Sequence, residues 1–385
     1  MSRRRLFGSL CGLVFLVNLA RVVFAPLLSV FITEFPIGEA TAGVIVTLAW
    51  IGSAAPRLPA GWLLTRVPRH WVVLASGGVL TVAAGLAAAA VTVPQLMIGA
   101  FLMGLASGSY FVAANPLLSE LYPEAVGRVM GIHGTASQIA AVIAAPFVAV
   151  SLFVDWRLSF VLISGASGVI TLLTWILARR TDLPSAGIED RSVLLAARTE
   201  WRVILTGVVI IGAASFLWQG LFNFYELFMV SKGLSPRGAQ GMLTLVFAAG
   251  VPAFLIGGQL ADRLPIVPYL LGIVGSFVGC VLLLVAAEGL VALVVTTAMV
   301  GFVIHTLYPA VDTYLLATLP DATRGSGYAV FSATAMAVQA TGSSAVGALV
   351  EGGMSYDLVF GGLALLVVVV LVGLGGAARL GKLPS

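Results

Sequence analysis

The sequence predicts an all-α membrane protein of about twelve transmembrane helices, built as two pseudo-symmetric six-helix bundles. Three observations carry this reading. The chain has 385 residues, 60% of them hydrophobic and only 9% charged, where soluble domains carry about 25% charged residues. So few charges cannot cover the surface of a water-exposed globule of this size, so most of the outside faces lipid. The apolar stretches are long and continuous, unlike the roughly ten-residue alternation of barrel strands, and in lipid a helix satisfies every backbone amide within itself. Finally, the second half repeats features of the first at one fixed offset.

Allowing about 20 apolar residues per span, the first span covers 6–31. It follows Arg3-Arg4-Arg5. Its apolar run of roughly 25 residues is longer than a signal-peptide core, and no small-x-small cleavage site ends it, so it reads as an uncleaved helix. Spans two to six fall at 40–64, 71–92, 94–119, 128–153 and 158–178. Spans seven to twelve fall at 203–229, 238–261, 267–287, 290–317, 325–350 and 357–378. The charged stretch 179–202 (RRTDLPSAGIEDRSVLLAARTEWR) divides the chain near its middle. It reads as a cytoplasmic linker, with room for a short amphipathic helix, between an N-terminal bundle at 1–178 and a C-terminal bundle at 203–385. Abundant Gly (44) and Pro (17) suit membrane helices that pack on small residues and bend at prolines.

Loop charges set the orientation. With the N-terminus inside, roughly fifteen Lys and Arg residues fall on cytoplasmic segments, against Arg157, Lys232 and Arg237 outside, as the positive-inside rule requires. Both termini are therefore expected on the cytoplasmic face of a cell membrane. The net charge of +4 comes from loop arginines and gives no argument for nucleic-acid binding. Cys11 and Cys280 lie inside apolar runs and read as membrane-embedded thiols rather than a disulfide or metal site. No cofactor is expected.

At an offset of 197, Gly61-Trp-Leu-Leu-Thr65-Arg66-Val-Pro68 falls on Gly258-Gln-Leu-Ala-Asp262-Arg263-Leu-Pro265. The same offset brings Gly104 onto Gly301 and Pro123-Glu-Ala125 onto Pro320-Asp-Ala322. Two related six-helix halves joined by a cytoplasmic linker form a transporter architecture, in which a solute binds between halves that rock.

These residues carry a resemblance to a known family. Gly258-Gln-Leu-Ala-Asp262-Arg263 resembles the G-x-L-a-D-R loop motif of the major facilitator superfamily. The run Leu121-Tyr-Pro-Glu-Ala-Val-Gly-Arg128-Val-Met-Gly131 is similar to its P-x-x-x-R-x-x-x-G segment, and Asp155-Trp156-Arg157 resembles its short W-R turn. The resemblance covers essentially the whole chain and implies a secondary transporter working by alternating access, with a proton or sodium ion as coupling partner and a monomer as the working unit. It also implies a gating role for Gly61, Arg66, Gly258, Asp262 and Arg263, in which glycine permits close helix approach and an Asp-Arg pair holds the cytoplasmic face shut. In the first copy Thr65 stands where the acid belongs.

Charges inside apolar spans mark the candidate site, since an ionisable group at mid-bilayer costs about 2.5–3.5 kcal/mol on insertion scales. Arg21 lies near the centre of span one, with Asn18 one turn away on the same face. Arg57 lies below the centre of span two, and Gln138 and His305 are central in spans five and ten. A guanidinium fork matches carboxylate, phosphate or nitrate oxygens, so Arg21, with Arg57, is expected to bind an anion. The bland alternatives are internal pairs, Arg21 with Glu34 or Glu226 and Arg57 with Glu120. Trp218, Phe222, Phe224 and Tyr225, with Gln219 and Asn223, read either as a cavity lining or as an interfacial aromatic belt. Tyr110 and Asn115 are further cavity candidates. Proton coupling is sought at His133, Glu226 and Asp312, and at His305; histidine titrates near neutrality, although a lone buried histidine also serves as a packing residue.

The family comparison leans toward an anion. Arg21 followed by Ala25-Pro26, then Arg57-x-Pro59-x-Gly61, is similar to anion-transporting branches, including organic-anion symporters and nitrate porters; the second arginine of nitrate porters falls here at Phe254. A drug/proton antiporter is the alternative. Its usual signatures, an arginine in span four and a Gly-Pro motif in span five, are replaced by Ala100 and by Gly134-Thr-Ala-Ser-Gln138 with proline only at Pro146. No G-x-x-x-x-G-K-[ST] loop occurs, and no constellation of acids or histidines at one depth suggests an enzyme.

Overall fold

The structure, a computed structural model, describes residues 2–64, 66–123, 126–183, 193–261, 263–320, 323–381 and 383. Among these, twelve helices are long and apolar enough to cross a membrane. The helices are α1 (Ser2–Val22), α2 (Leu28–Glu34), α3 (Glu39–Ala54), α4 (Arg57–Leu63), α5 (Arg69–Ala88), α6 (Val93–Leu121), α7 (Val126–Ser151) and α8 (Arg157–Ala178). They continue as α9 (Val193–Thr199), α10 (Trp201–Asn223), α11 (Tyr225–Ser231), α12 (Pro236–Ala261), α13 (Ile266–Ala286), α14 (Gly289–Thr318), α15 (Arg324–Glu351) and α16 (Tyr356–Arg379).

Three spans expected as single helices are broken. Span one ends as α1 at Val22, turns through a 3-10 segment at Ala25–Leu27, and resumes as α2. Pro26 brings no backbone N–H to the ladder, so the helix yields there. Span two parts between α3 and α4 at Ala55-Pro56 for the same reason. Span seven pauses at Phe224 between α10 and α11. There Asn223 donates its side-chain amide to the Gln219 carbonyl at 2.9 Å, the local competition with the helix ladder that asparagine offers.

The chain clusters into two compact units. One comprises Met1–Pro36 with Ile45–Asp190, and the other comprises Ile37–Val44 with Arg191–Ser385. In the first unit α1 packs on α6, α7 and α8, while α5 packs on α6 and α8. In the second, α10 packs on α15, and α14 lies between α12 and α13. Of the linker, 184–192 lies outside the described residues, and the short helix expected near it is α9, packed on α15.

The repeat is visible as geometry inside each unit. α3 and α12 begin at Glu39 and Pro236, and α5 and α13 at Arg69 and Ile266, both pairs at the offset of 197. The loop after α4 has Arg66 and Val67 amides donating to the Leu63 carbonyl; the loop after α12 has Arg263 and Leu264 donating to Leu260 in the same way. A close helix crossing recurs too. A Cβ on Gly104 of α6 would lie 1.9 Å from the Ala49 carbonyl oxygen of α3, and one on Gly301 of α14 would lie 2.2 Å from the Val246 carbonyl oxygen of α12. Only glycine permits such backbone contact.

Candidate functional site

In the first unit, α1 and α3 bring polar groups onto Arg21, α6 brings an aromatic ring, and α7 fixes one of the polar groups. Because α1 stops at Val22, Arg21 sits in the last turn of a helix inside the apolar segment, where the helix dipole favours a cation. Its guanidinium donates from Nη2 to Asn18 Oδ1 at 2.6 Å and from Nη1 to Ser53 Oγ of α3 at 3.4 Å. The same group stacks over the Trp50 ring, 4.3 Å from its centroid, and lies 5.7 Å from that of Phe111 on α6. Such faces attract a cation and hold it in a fixed plane. Asn18 is itself fixed, donating Nδ2 to the Ser137 carbonyl of α7 at 2.7 Å. The next residue, Gln138, keeps its buried Nε2 without a hydrogen-bond partner among the described residues.

Two of the carboxylates expected as alternative partners, Glu34 for Arg21 and Glu120 for Arg57, are engaged with other arginines. Glu34 accepts from Arg157 at 3.1 Å, and Glu120 is paired with Arg69. Arg57, half-buried at the start of α4, donates Nε to the Ser53 carbonyl at 3.3 Å. It thus serves the helix break beside Pro56, and Ser53 links the two arginines through its hydroxyl and its carbonyl.

A second polar chain lies in the same unit. Tyr110 Oη donates to the Leu10 carbonyl at 2.7 Å and meets His133 Nε2 at 3.0 Å. The rings of Tyr110 and His133 are stacked, with centroids 5.8 Å apart.

In the second unit the positions equivalent to this site are aromatic. At the offset of 197, Arg21 corresponds to Trp218, Trp50 to Phe247, Arg57 to Phe254 and Phe111 to Tyr308. Gly108, whose Cβ would meet the Ser53 carbonyl at 2.2 Å, corresponds to His305, and Ser53 to Gly250. The large and small partners are thus exchanged between α12 and α14: a Cβ on Gly250 would lie 2.6 Å from His305 Cγ. His305 Nδ1 donates to the Gly301 carbonyl at 2.6 Å. Its ring sits 5.6–5.8 Å from those of Trp218, Phe247 and Phe254.

Gln219 and Asn223 face α15. Gln219 Oε1 accepts from Gln339 at 2.8 Å, and Asn223 donates to Ser343 at 2.8 Å. Phe224 and Tyr225 are fully buried, and Tyr225 shares a hydrogen bond with Thr297. Glu226 is buried in the first turn of α11, and Asp312 accepts from Tyr328 at 2.7 Å. Of the gating residues, Asp262 and Thr65 lie outside the described residues, while Arg66 and Arg263 are exposed. The close approach expected of Gly258 belongs to its neighbour. A Cβ on Gly257 would lie 2.9 Å from Thr306 Cα, whereas one on Gly258 would sit 4.0 Å from Pro309. Trp50, Ser53 and Phe111 escape a reading by sequence, because apolar or small residues in an apolar span carry no signal until the helices cross.

The Major Facilitator Superfamily profile matches residues 10–284 and 232–381, and the chain belongs to that family of membrane transporters. It is 26% identical to the uncharacterized transporter YycB of Bacillus subtilis over 67% of this chain and 64% of that one. It is 23% identical to the putative niacin/nicotinamide transporter NiaP of B. subtilis over 94% and 92% of the two chains. With the probable sulfoacetate transporter SauU of Cupriavidus necator it shares 24% identity over 68% and 66%. The chain thus spans about two thirds of the length of two of these relatives. In fold it is similar to a bacterial homolog of the human lysosomal transporter Spinster in an inward-facing, occupied conformation (TM-score 0.80, 14% identity, 98% of each chain). It is similar also to the nucleoside transporter NupG (TM-score 0.79, 16% identity, 96% and 99%).

Proposed function

We propose that this chain carries a small organic anion across a cell membrane by alternating access, and that Arg21 is the cation that binds it. The observation that carries the reading is the setting of that guanidinium. It stands inside an apolar span, oriented by Asn18 and Ser53 and laid on the Trp50 face. Holding a charge there is costly, and a planar fork so oriented suits a carboxylate or sulfonate. Gln138 supplies a further unsatisfied donor one residue from the carbonyl that holds Asn18. The names of two relatives include anions: niacin, beside neutral nicotinamide, is a carboxylic acid, and sulfoacetate bears a sulfonate and a carboxylate. Arg57 supports Arg21 through Ser53. The loop charges favour cytoplasmic termini.

The test is uptake by purified protein in liposomes. The panel pairs nicotinate with nicotinamide and benzoate with benzamide, and adds sulfoacetate, lactate, nitrate and a hydrophobic cation. Saturable uptake of at least one anion over its neutral partner, reduced about a hundredfold or more in Arg21→Gln, is the expected result; the lost charge-assisted pair accounts for about that factor. Transport of the hydrophobic cation that survives Arg21→Gln would replace this reading with drug export.

A further inference from the structure

The first unit holds a second buried ionisable cluster that the anion site does not use. Tyr110 is fully buried and His133 nearly so, and the bonding pattern fixes their protons. A carbonyl oxygen can only accept, so the Tyr110 hydroxyl proton is committed to Leu10. Tyr110 Oη therefore accepts from His133, and Nε2 of His133 carries a hydrogen. Neutral His133 is thus held as the Nε2–H tautomer, with the lone pair on Nδ1 as its basic position.

This cluster and the anion site share the same two helices. α1 supplies Leu10 to one and Asn18 with Arg21 to the other, while α7 supplies His133 to one and, a turn later, the Ser137 carbonyl to the other. Any change in how α7 sits on α1 at His133 acts on the carbonyl that fixes Asn18, and through Asn18 on Arg21.

We propose that His133 is the proton-binding residue that couples anion transport to a proton gradient, taking one proton at Nδ1 from one side of the membrane and releasing it on the other. This rests on the reading of Arg21 as the anion site. The sign follows from charge. A proton on His133 adds a positive charge to the helix pair that holds Arg21, which favours an anion, and by linkage the bound anion favours the proton. Proton and anion therefore move together, as symport.

Other titratable groups on the elements packed against α7 are accounted for. α1 carries the N-terminal arginines Arg3 to Arg5, Cys11 beside Leu10, and Arg21. α6 carries Tyr110 and Glu120, the latter paired with Arg69. α8 begins with Arg157, which is paired with Glu34. α7 itself has Arg128, more than a turn before His133. Of these, all the arginines are permanently charged, and the tyrosine proton is already placed.

The experiment uses liposomes containing wild-type protein or His133→Gln, with whichever of benzoate, lactate and nitrate shows the greatest uptake. Glutamine keeps an N–H for Tyr110 and takes no proton. In the wild type, an outward-acid gradient drives accumulation above equilibrium. The variant is expected to exchange labelled for unlabelled anion within about threefold of the wild-type rate, yet only equilibrate under the gradient, because exchange needs binding without net proton movement. Accumulation by His133→Gln at the wild-type ratio would overturn the proposal. A second measurement needs no variant: anion binding to wild-type protein in weakly buffered detergent solution should take up one proton, and no proton uptake at any pH at which the anion binds would equally overturn it. Absence of uptake and exchange of every anion would instead sink the anion reading itself.

Discussion

At the scale of single residues, one guanidinium is held between Asn18, Ser53 and the Trp50 ring. Arg21 receives its orientation from Asn18, and Asn18 from the Ser137 carbonyl. Arg21→Lys keeps the charge and loses the fork, so anion uptake should fall about tenfold or more, while Arg21→Gln should fall further. Asn18→Ala leaves the guanidinium in place but unsteered. Its effect should appear chiefly as a raised KM in liposome uptake, and an unchanged KM would show that Asn18 serves packing alone. Arg21, Asn18 and Gln138 were legible in the sequence because a polar group in an apolar run stands out against its neighbours. Trp50 and Phe111 were not, since an aromatic residue in a membrane helix is ordinary until a guanidinium lies over it. Nor were the commitments of Gln219 and Asn223 to α15, which depend on a neighbour about 120 residues away.

At the scale of helices, the site exists because α1 and α3 break and because glycine lets α3 and α6 touch. The sequence placed twelve spans within a few residues of their observed ends, since hydropathy and helix length are local properties. It missed the breaks beside Pro26 and Pro56, because prolines inside helices are also tolerated here, as at Pro116, Pro146, Pro252 and Pro309. Gly104→Ala or Gly301→Ala drives a methyl into a facing carbonyl. Each should lower thermal stability in detergent by about 1–3 kcal/mol, the usual cost of overpacking. Gly131→Ala in α7, with open space around it, should be neutral or stabilising by about 0.5–1 kcal/mol. Gly250→Ala should destabilise by collision with His305, and His305→Ala should relieve part of that loss. A double-mutant cycle should give a coupling of about 0.5–3 kcal/mol, as for residues in contact, and strict additivity would show that the two do not share space.

At the scale of the whole chain, the repeat was legible because glycine, proline and charged loop residues recur at one offset, and those residue types answer to backbone geometry rather than to substrate. The same loop turn and the same glycine crossing return in the second unit. What differs between the units is the arginine pair, since Arg21 and Arg57 correspond to Trp218 and Phe254, while Trp50 and Phe111 stay aromatic as Phe247 and Tyr308. The gene-level repeat thus preserves the helix crossings while leaving the cation to one unit alone. If Arg21 binds the solute, as proposed, side-chain identity at these positions answers to that solute, and the regularities of folding do not reveal it. The most direct measurement compares uptake of a carboxylate with that of its uncharged amide in liposomes carrying wild-type protein or Arg21→Gln. Saturable wild-type uptake of the carboxylate over the amide, lost in Arg21→Gln, is the result predicted here. Equal uptake of both, or carboxylate uptake that survives the substitution, would contradict an anion site at Arg21.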